Sequence, residues 1–98
     1  MTDSKCHADL DPRLIGSRLR LARDALRLGQ NEFAEQAGIA RNTYNQYERG
    51  VRLIPPAPAV ALCKCYHLTM DWIYRGQPDG LPYKLGAAIS ALKTLLDG

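Results

Sequence analysis

Gln30-Asn31-Glu32-Phe33-Ala34-Glu35-Gln36-Ala37-Gly38-Ile39-Ala40-Arg41-Asn42-Thr43-Tyr44-Asn45-Gln46-Tyr47-Glu48-Arg49-Gly50 is the stretch that decides the fold. Phe33, Ala34 and Ala37 recur at helical spacing, and so do Tyr44 and Tyr47 a little further on, so that each set covers one face of a short helix. Gly38 stands between them, where a helix can end in the left-handed conformation without a Cβ penalty. Ala34 faces that turn and is small enough for two backbones to approach. Two short helices and a tight turn predict a helix-turn-helix, whose second helix is shaped to lie in the major groove of DNA.

Outward from this unit the chain reads as helices throughout. Upstream, Asp11-Pro12 is a start signal, Asp as N-cap and Pro at the first helical position. Ile15, Leu19, Ala22 and Leu26, broadened by Leu14, Leu21 and Ala25, predict an amphipathic helix to about Leu28. Arg23 falls on the border of that stripe, where a charge needs a partner. Gly29 then breaks the helix and caps the next, about Gln30 to Ala37; the third begins near Ala40 or Arg41 and ends at Gly50. Residues 51–58 read as a loop because of Pro55, Pro56 and Pro58, with a fourth helix from about Ala59 to Tyr66 whose apolar face is Val60, Leu62, Cys63 and Tyr66. Thr69 is the expected N-cap of a fifth helix, Met70 to Arg75, closed by Gly76. After a turn-rich linker, Leu85, Ala88, Ile89, Leu92, Leu95 and Leu96 mark a sixth, from about Tyr83 to Leu96. Residues 1–10 are polar and aperiodic and read as a frayed tail.

Charge and composition narrow the function. The chain has 98 residues, 46% of them hydrophobic, with a net charge of +3. That length fits one domain. The positive charge gathers in residues 12–54, which hold eight Arg, no Lys and four acids. Guanidinium groups suit bidentate contacts to phosphate or guanine. No run of 18 apolar residues predicts a membrane span, and residues 1–7 lack the apolar core of a secretory signal. Three cysteines, an odd count, fit a reduced, cytoplasmic setting rather than a disulfide framework. Cys63 and Cys65 point about 200° apart on a helix and have no second pair, so with His67 they do not make a metal site. No nucleophile–base–acid set and no glycine-rich phosphate loop is visible; neither enzyme nor cofactor is expected.

The third helix carries the functional signal. Arg41, Asn42, Asn45 and Gln46 form a face of one Arg and three amides, free of the Glu and Lys that a merely solvated face would carry, until Glu48. Helix propensity does not explain three amides in five residues. Asn or Gln pairs bidentately with adenine N6 and N7, and Arg with guanine O6 and N7.

Residues 15–76 resemble the DNA-binding domain of phage repressor and Cro proteins, the XRE-type regulators. The resemblance lies in Arg18-Leu19 through Arg23, the run Leu28-Gly29-Gln30-Asn31-Glu32-Phe33-Ala34, Gly38-Ile39, Tyr44, Tyr47-Glu48-Arg49-Gly50 and Asp71-Trp72-Ile73-Tyr74-Arg75-Gly76. It implies an all-α fold, a five-helix lambda-repressor-like domain, here with an additional C-terminal amphipathic helix. It further implies that Arg41, Asn42, Asn45 and Gln46 read bases, and that Gln30, Asn31, Thr43, Arg49 and Arg52 touch phosphate, backbone or flanking bases. Arg23 and Glu48 match an ion pair that links the first and third helices. Tyr44 and Tyr47 match core positions usually held by aliphatics and are expected in the core, their hydroxyls reaching the surface. Two departures stand out: relatives often cap the second and third helices with hydroxyl side chains, where this chain has Gly29 and Ala40.

The expected organisation is a tail (1–10), a DNA-binding domain (11–76) and a linker with a C-terminal helix (77–98) that covers the core or forms a dimer seam. The expected function is sequence-specific binding of double-stranded DNA by a repressor-like homodimer. The alternative is an antitoxin or adaptor whose last helix docks a protein partner.

Overall fold

The computed structural model describes residues 10–97. Within them run six α-helices and no strand: α1 (Pro12–Ala25), α2 (Gln30–Gln36), α3 (Arg41–Glu48), α4 (Pro56–Tyr66), α5 (Met70–Arg75) and α6 (Tyr83–Asp97). The tail expected over 1–10 lies, apart from exposed Leu10, outside the described residues.

α1 starts where its signal stands, with the Asp11 carboxylate accepting from the Arg13 amide at 2.9 Å and Pro12 at the first helical position. It ends three residues short of the expected Leu28. Arg27 takes the left-handed conformation (φ 59°), and the Arg27 and Leu28 amides turn back to the carbonyls of Asp24 (3.0 Å) and Arg23 (3.2 Å). That is a Schellman closure with arginine where glycine is usual. The Arg23 guanidinium also donates to the Leu28 carbonyl at 2.9 Å, which helps to hold the strained corner. Leu14, expected to broaden the core stripe, is 51% exposed.

α4 begins earlier than its prolines suggested. Pro56 and Pro58 fall in its first turn, where backbone N–H groups have no helical partner to lose. Its buried face is Ala59, Leu62 and Tyr66; Val60, expected there, is 39% exposed. α5 has both expected caps, with the Thr69 hydroxyl accepting from the Trp72 amide (2.9 Å) and Gly76 at φ 76°. Arg18 of α1 donates to the Ile73 carbonyl near the end of α5 (3.3 Å). α6 lies along α1 and buries Leu85 and Ile89 in the common core, with Leu92 at its edge. Within this chain, that apolar face packs on the core. Leu95 remains exposed on the same helix.

The core centres on Phe33. Tyr66 stacks on it (centroids 4.4 Å, planes 9° apart), and Tyr44 meets it tilted at 5.4 Å. The Tyr66 hydroxyl donates to the Phe33 carbonyl (2.9 Å), and that of Tyr74 to the Ile54 carbonyl (2.6 Å). Both phenols satisfy loop or helix-end carbonyls that burial would otherwise penalise.

Candidate nucleic-acid interface

α2 and α3 meet at a turn built by Gly38 (φ 72°), where the Ile39 amide reaches back to the Ala34 carbonyl (2.9 Å) and the Gly38 amide to that of Glu35 (3.0 Å). α3 closes in the same way: Gly50 stands at φ 76° and the Val51 amide donates to the Gln46 carbonyl (3.0 Å). Neither Gly29 nor Ala40 gives its helix a side-chain cap. The short helices are therefore fixed by their C-terminal ends and by packing.

The packing against α1 is unusually close. A Cβ at Gly16 would stand 2.5 Å from the Glu48 carbonyl oxygen and 2.6 Å from that of Tyr47. No side chain other than hydrogen fits between α1 and the end of α3. A lone glycine inside a strong helical pattern is the available signal for such a contact.

That approach brings together a charged cluster beneath α3. Arg23 donates to both carboxylate oxygens of Glu48, Nε to Oε2 at 2.6 Å and Nη2 to Oε1 at 3.2 Å. The Tyr44 hydroxyl donates to Oε2 (2.6 Å) and Gln30 Nε2 to Oε1 (2.9 Å). Four donors thus fill the acceptor sites of one carboxylate. The side chains of Arg23 and Glu48 are only 13% and 5% exposed. Burial alone would push the Glu48 carboxyl up; the hydrogen bonds from Arg23, Tyr44 and Gln30 outweigh it and hold the group below its ordinary value. Arg23 is raised by its bond to Glu48, and Tyr44 is pushed far up by burial and then by the same carboxylate. The Tyr44 hydroxyl, expected to reach the surface, is instead consumed inside this cluster, because Glu48 lies one turn along the same helix.

The other residues singled out in the sequence divide by exposure. Arg41 and Asn42 at the start of α3, Asn31 on α2, and Arg49 and Arg52 beyond the end of α3 are exposed; Thr43, Asn45 and Gln46 are half-buried. Among the described residues the side chains of Arg41, Asn42, Thr43, Gln46 and Arg49 form no hydrogen bond to protein. The Arg52 guanidinium stands 5.9 Å from the centre of the Tyr47 ring, a cation–π distance. Gln30 and Asn45 differ from the rest: Asn45 Nδ2 donates to Gln30 Oε1 at 3.2 Å, so both amides are tied to Glu48. Sequence spacing gave no sign of that link, which exists only once α1, α2 and α3 have met.

The arrangement offers an outward surface of one arginine and three amides, with the carboxylate of Glu48, the one acid of α3, turned inward and paired. Such a surface can donate to and accept from base edges and attract phosphate. Elsewhere, Cys63 turns its thiol to the Met70 sulfur (3.8 Å) and Cys65 to the Gln36 carbonyl (3.3 Å). Among the described residues no three His, Cys, Asp or Glu side chains cluster as metal ligands, and no helix is long and apolar enough to cross a membrane.

A family model described as helix-turn-helix matches residues 19–73, more than half of the chain. The searches of curated proteins and of solved structures found no match.

Proposed function

The chain belongs to the XRE-type helix-turn-helix family of DNA-binding regulators, and from that premise we propose that it binds one double-stranded DNA sequence as a repressor-like homodimer. α3 enters the major groove, where Arg41, Asn42, Asn45 and Gln46 read base edges. Gln30, Asn31, Thr43, Arg49 and Arg52 hold phosphate or flanking backbone and set the register. The observation that carries this reading is the outer face of α3. It projects an arginine and amides without a free carboxylate, while the inner face of the same helix is spent on the core. Two copies related by a two-fold axis would place their recognition helices about 34 Å apart, one turn of DNA.

Selection of bound duplexes from a random pool tests this. The expected product is an inverted repeat with half-sites one turn apart. Replacing Asn42 or Gln46 by Ala should each relax one position by about 1–3 kcal/mol. A pool that yields no preferred sequence, or equal discrimination after Arg41, Asn42, Asn45 and Gln46 have all become Ala, would overturn base reading by α3. With α6 lying on the core, no observation favours a protein-docking role over DNA binding.

A further inference from the structure

The bonds around Glu48 run onward to the DNA-facing side of α3, and their polarity is not free. A carboxylate only accepts hydrogen bonds. Glu48 already receives Arg23 through two nitrogens and the Tyr44 hydroxyl. Gln30, facing Oε1 at 2.9 Å, must therefore present its NH2 rather than its carbonyl oxygen. That choice sends Gln30 Oε1 toward α3, where it meets the Asn45 amide at 3.2 Å. An amide oxygen also only accepts, so Asn45 must turn its NH2 inward. Flipping either amide would set oxygen against oxygen, or leave N–H against N–H. After both bonds are made, Asn45 retains its carbonyl oxygen and one N–H, and Gln30 retains one N–H.

Resting on the DNA reading above, we propose that Glu48, acting through Gln30, fixes which way the Asn45 amide faces, so that Asn45 reads the exocyclic amino group of adenine. In the major groove adenine offers the N6 amino group to the Asn45 oxygen and N7 to its remaining N–H. Guanine and thymine place carbonyl oxygens there, O6 and O4, which repel the fixed Asn45 oxygen. Cytosine offers an amino group without the neighbouring acceptor. Arg23 and Tyr44, which touch no base in this arrangement, act as positioning residues by keeping Glu48 ionised and in place. A free asparagine could turn over and accept either kind of base; a fixed one cannot.

The test has one arm without DNA and one with it. In the free protein, the Asn45 and Gln30 side-chain amide protons are read by NMR. The Asn45 pair is expected to be well dispersed and slow to exchange in the wild type, and to collapse toward solvent values in Gln30→Met. Asn45 signals indifferent to Gln30→Met would overturn the relay. On the selected duplex, replacing adenine by guanine at one position per half-site should weaken wild-type binding about tenfold. Replacing that adenine by purine, which lacks only the amino group, should reproduce most of the loss. In Gln30→Met the same changes should cost less than about threefold, because Asn45 can then turn over. Glu48→Gln, which keeps the volume but can donate, should relax the same position and no other. Unchanged discrimination at every position in both variants would overturn the proposal. A random pool with no preferred duplex would sink the DNA reading and the base preference with it; the Asn45 signals, read without DNA, tell that failure apart from failure of the relay.

Discussion

The two faces of α3 use the same eight residues in opposite ways. On the inner face Tyr44, Tyr47 and Glu48 are buried or nearly so, and Tyr44 and Glu48 are bonded to neighbours on α1, α2 or α3 itself. On the outer face Arg41, Asn42 and Gln46 make no hydrogen bond to the described protein. The fold therefore does not depend on the side chains that would meet DNA, and those side chains are free to differ without unfolding the helix. Only Asn45 links the two faces, through its bond to Gln30 of α2, which in turn holds Glu48. The contrast can be broken from the inside, where large stability losses are expected, or sharpened from the outside, where stability should hold and binding should change.

The largest inside effect is expected for Arg23→Met. It leaves the Glu48 carboxylate buried without its ionic partner and strips a donor from the Leu28 carbonyl. Removing one member of a buried pair costs about 3–5 kcal/mol; because Arg23 retains some exposure, about 3 kcal/mol is expected in urea unfolding. Unchanged melting would mean that the pair contributes nothing. Next is Gly16→Ala. In an ordinary helix interior alanine is favoured over glycine by roughly 0.5–1 kcal/mol. Here the new methyl group meets two backbone carbonyls, so the sign should reverse, to a loss of about 2 kcal/mol. A stabilised Gly16→Ala protein would show that α1 and α3 do not approach as described.

A pH titration separates the faces again. The folded-state carboxyl of Glu48 lies below its ordinary value of 4.5, so the unfolded chain binds the proton first. The stability that this group supplies is complete above 4.5 and is lost as the pH falls through the folded-state value. The acid limb of wild-type stability should therefore be steeper than that of Glu48→Gln, and parallel limbs would remove Glu48 from the account. The smallest change is expected outside, for Arg52→Ala. It should weaken all DNA sequences alike and reduce the slope of log affinity against log salt by about 1, with melting altered by no more than about 1 kcal/mol from the lost contact with Tyr47.

What the sequence disclosed about the fold follows from how local each signal is. Asp11-Pro12, Gly38, Gly50, Thr69 and Gly76 mark helix ends through chemistry within a few residues, and the structure puts ends there. The end of α1 escaped because Leu26 and Leu28 continue the apolar spacing while Arg27 adopts a conformation that few non-glycine residues take. The start of α4 escaped because proline was read as a breaker in the one turn of a helix that tolerates it. Of the candidate interface, the outer residues could be named from residue type and spacing alone. The tie of Gln30 to Asn45, the inward turn of the Tyr44 hydroxyl and the clearance at Gly16 depend on three helices arriving at one point, and no window of sequence contains them.

Trp72 is the only tryptophan in the chain. Its indole is buried on α5, which packs on α1, and its N–H finds no acceptor among the described residues. It is therefore a built-in optical gauge. Its emission should be blue-shifted in the native protein and move red on unfolding, giving a stability readout for every substitution above. Because Trp72 is on α5 and not on α3, the same signal should stay nearly still when α3 takes up DNA.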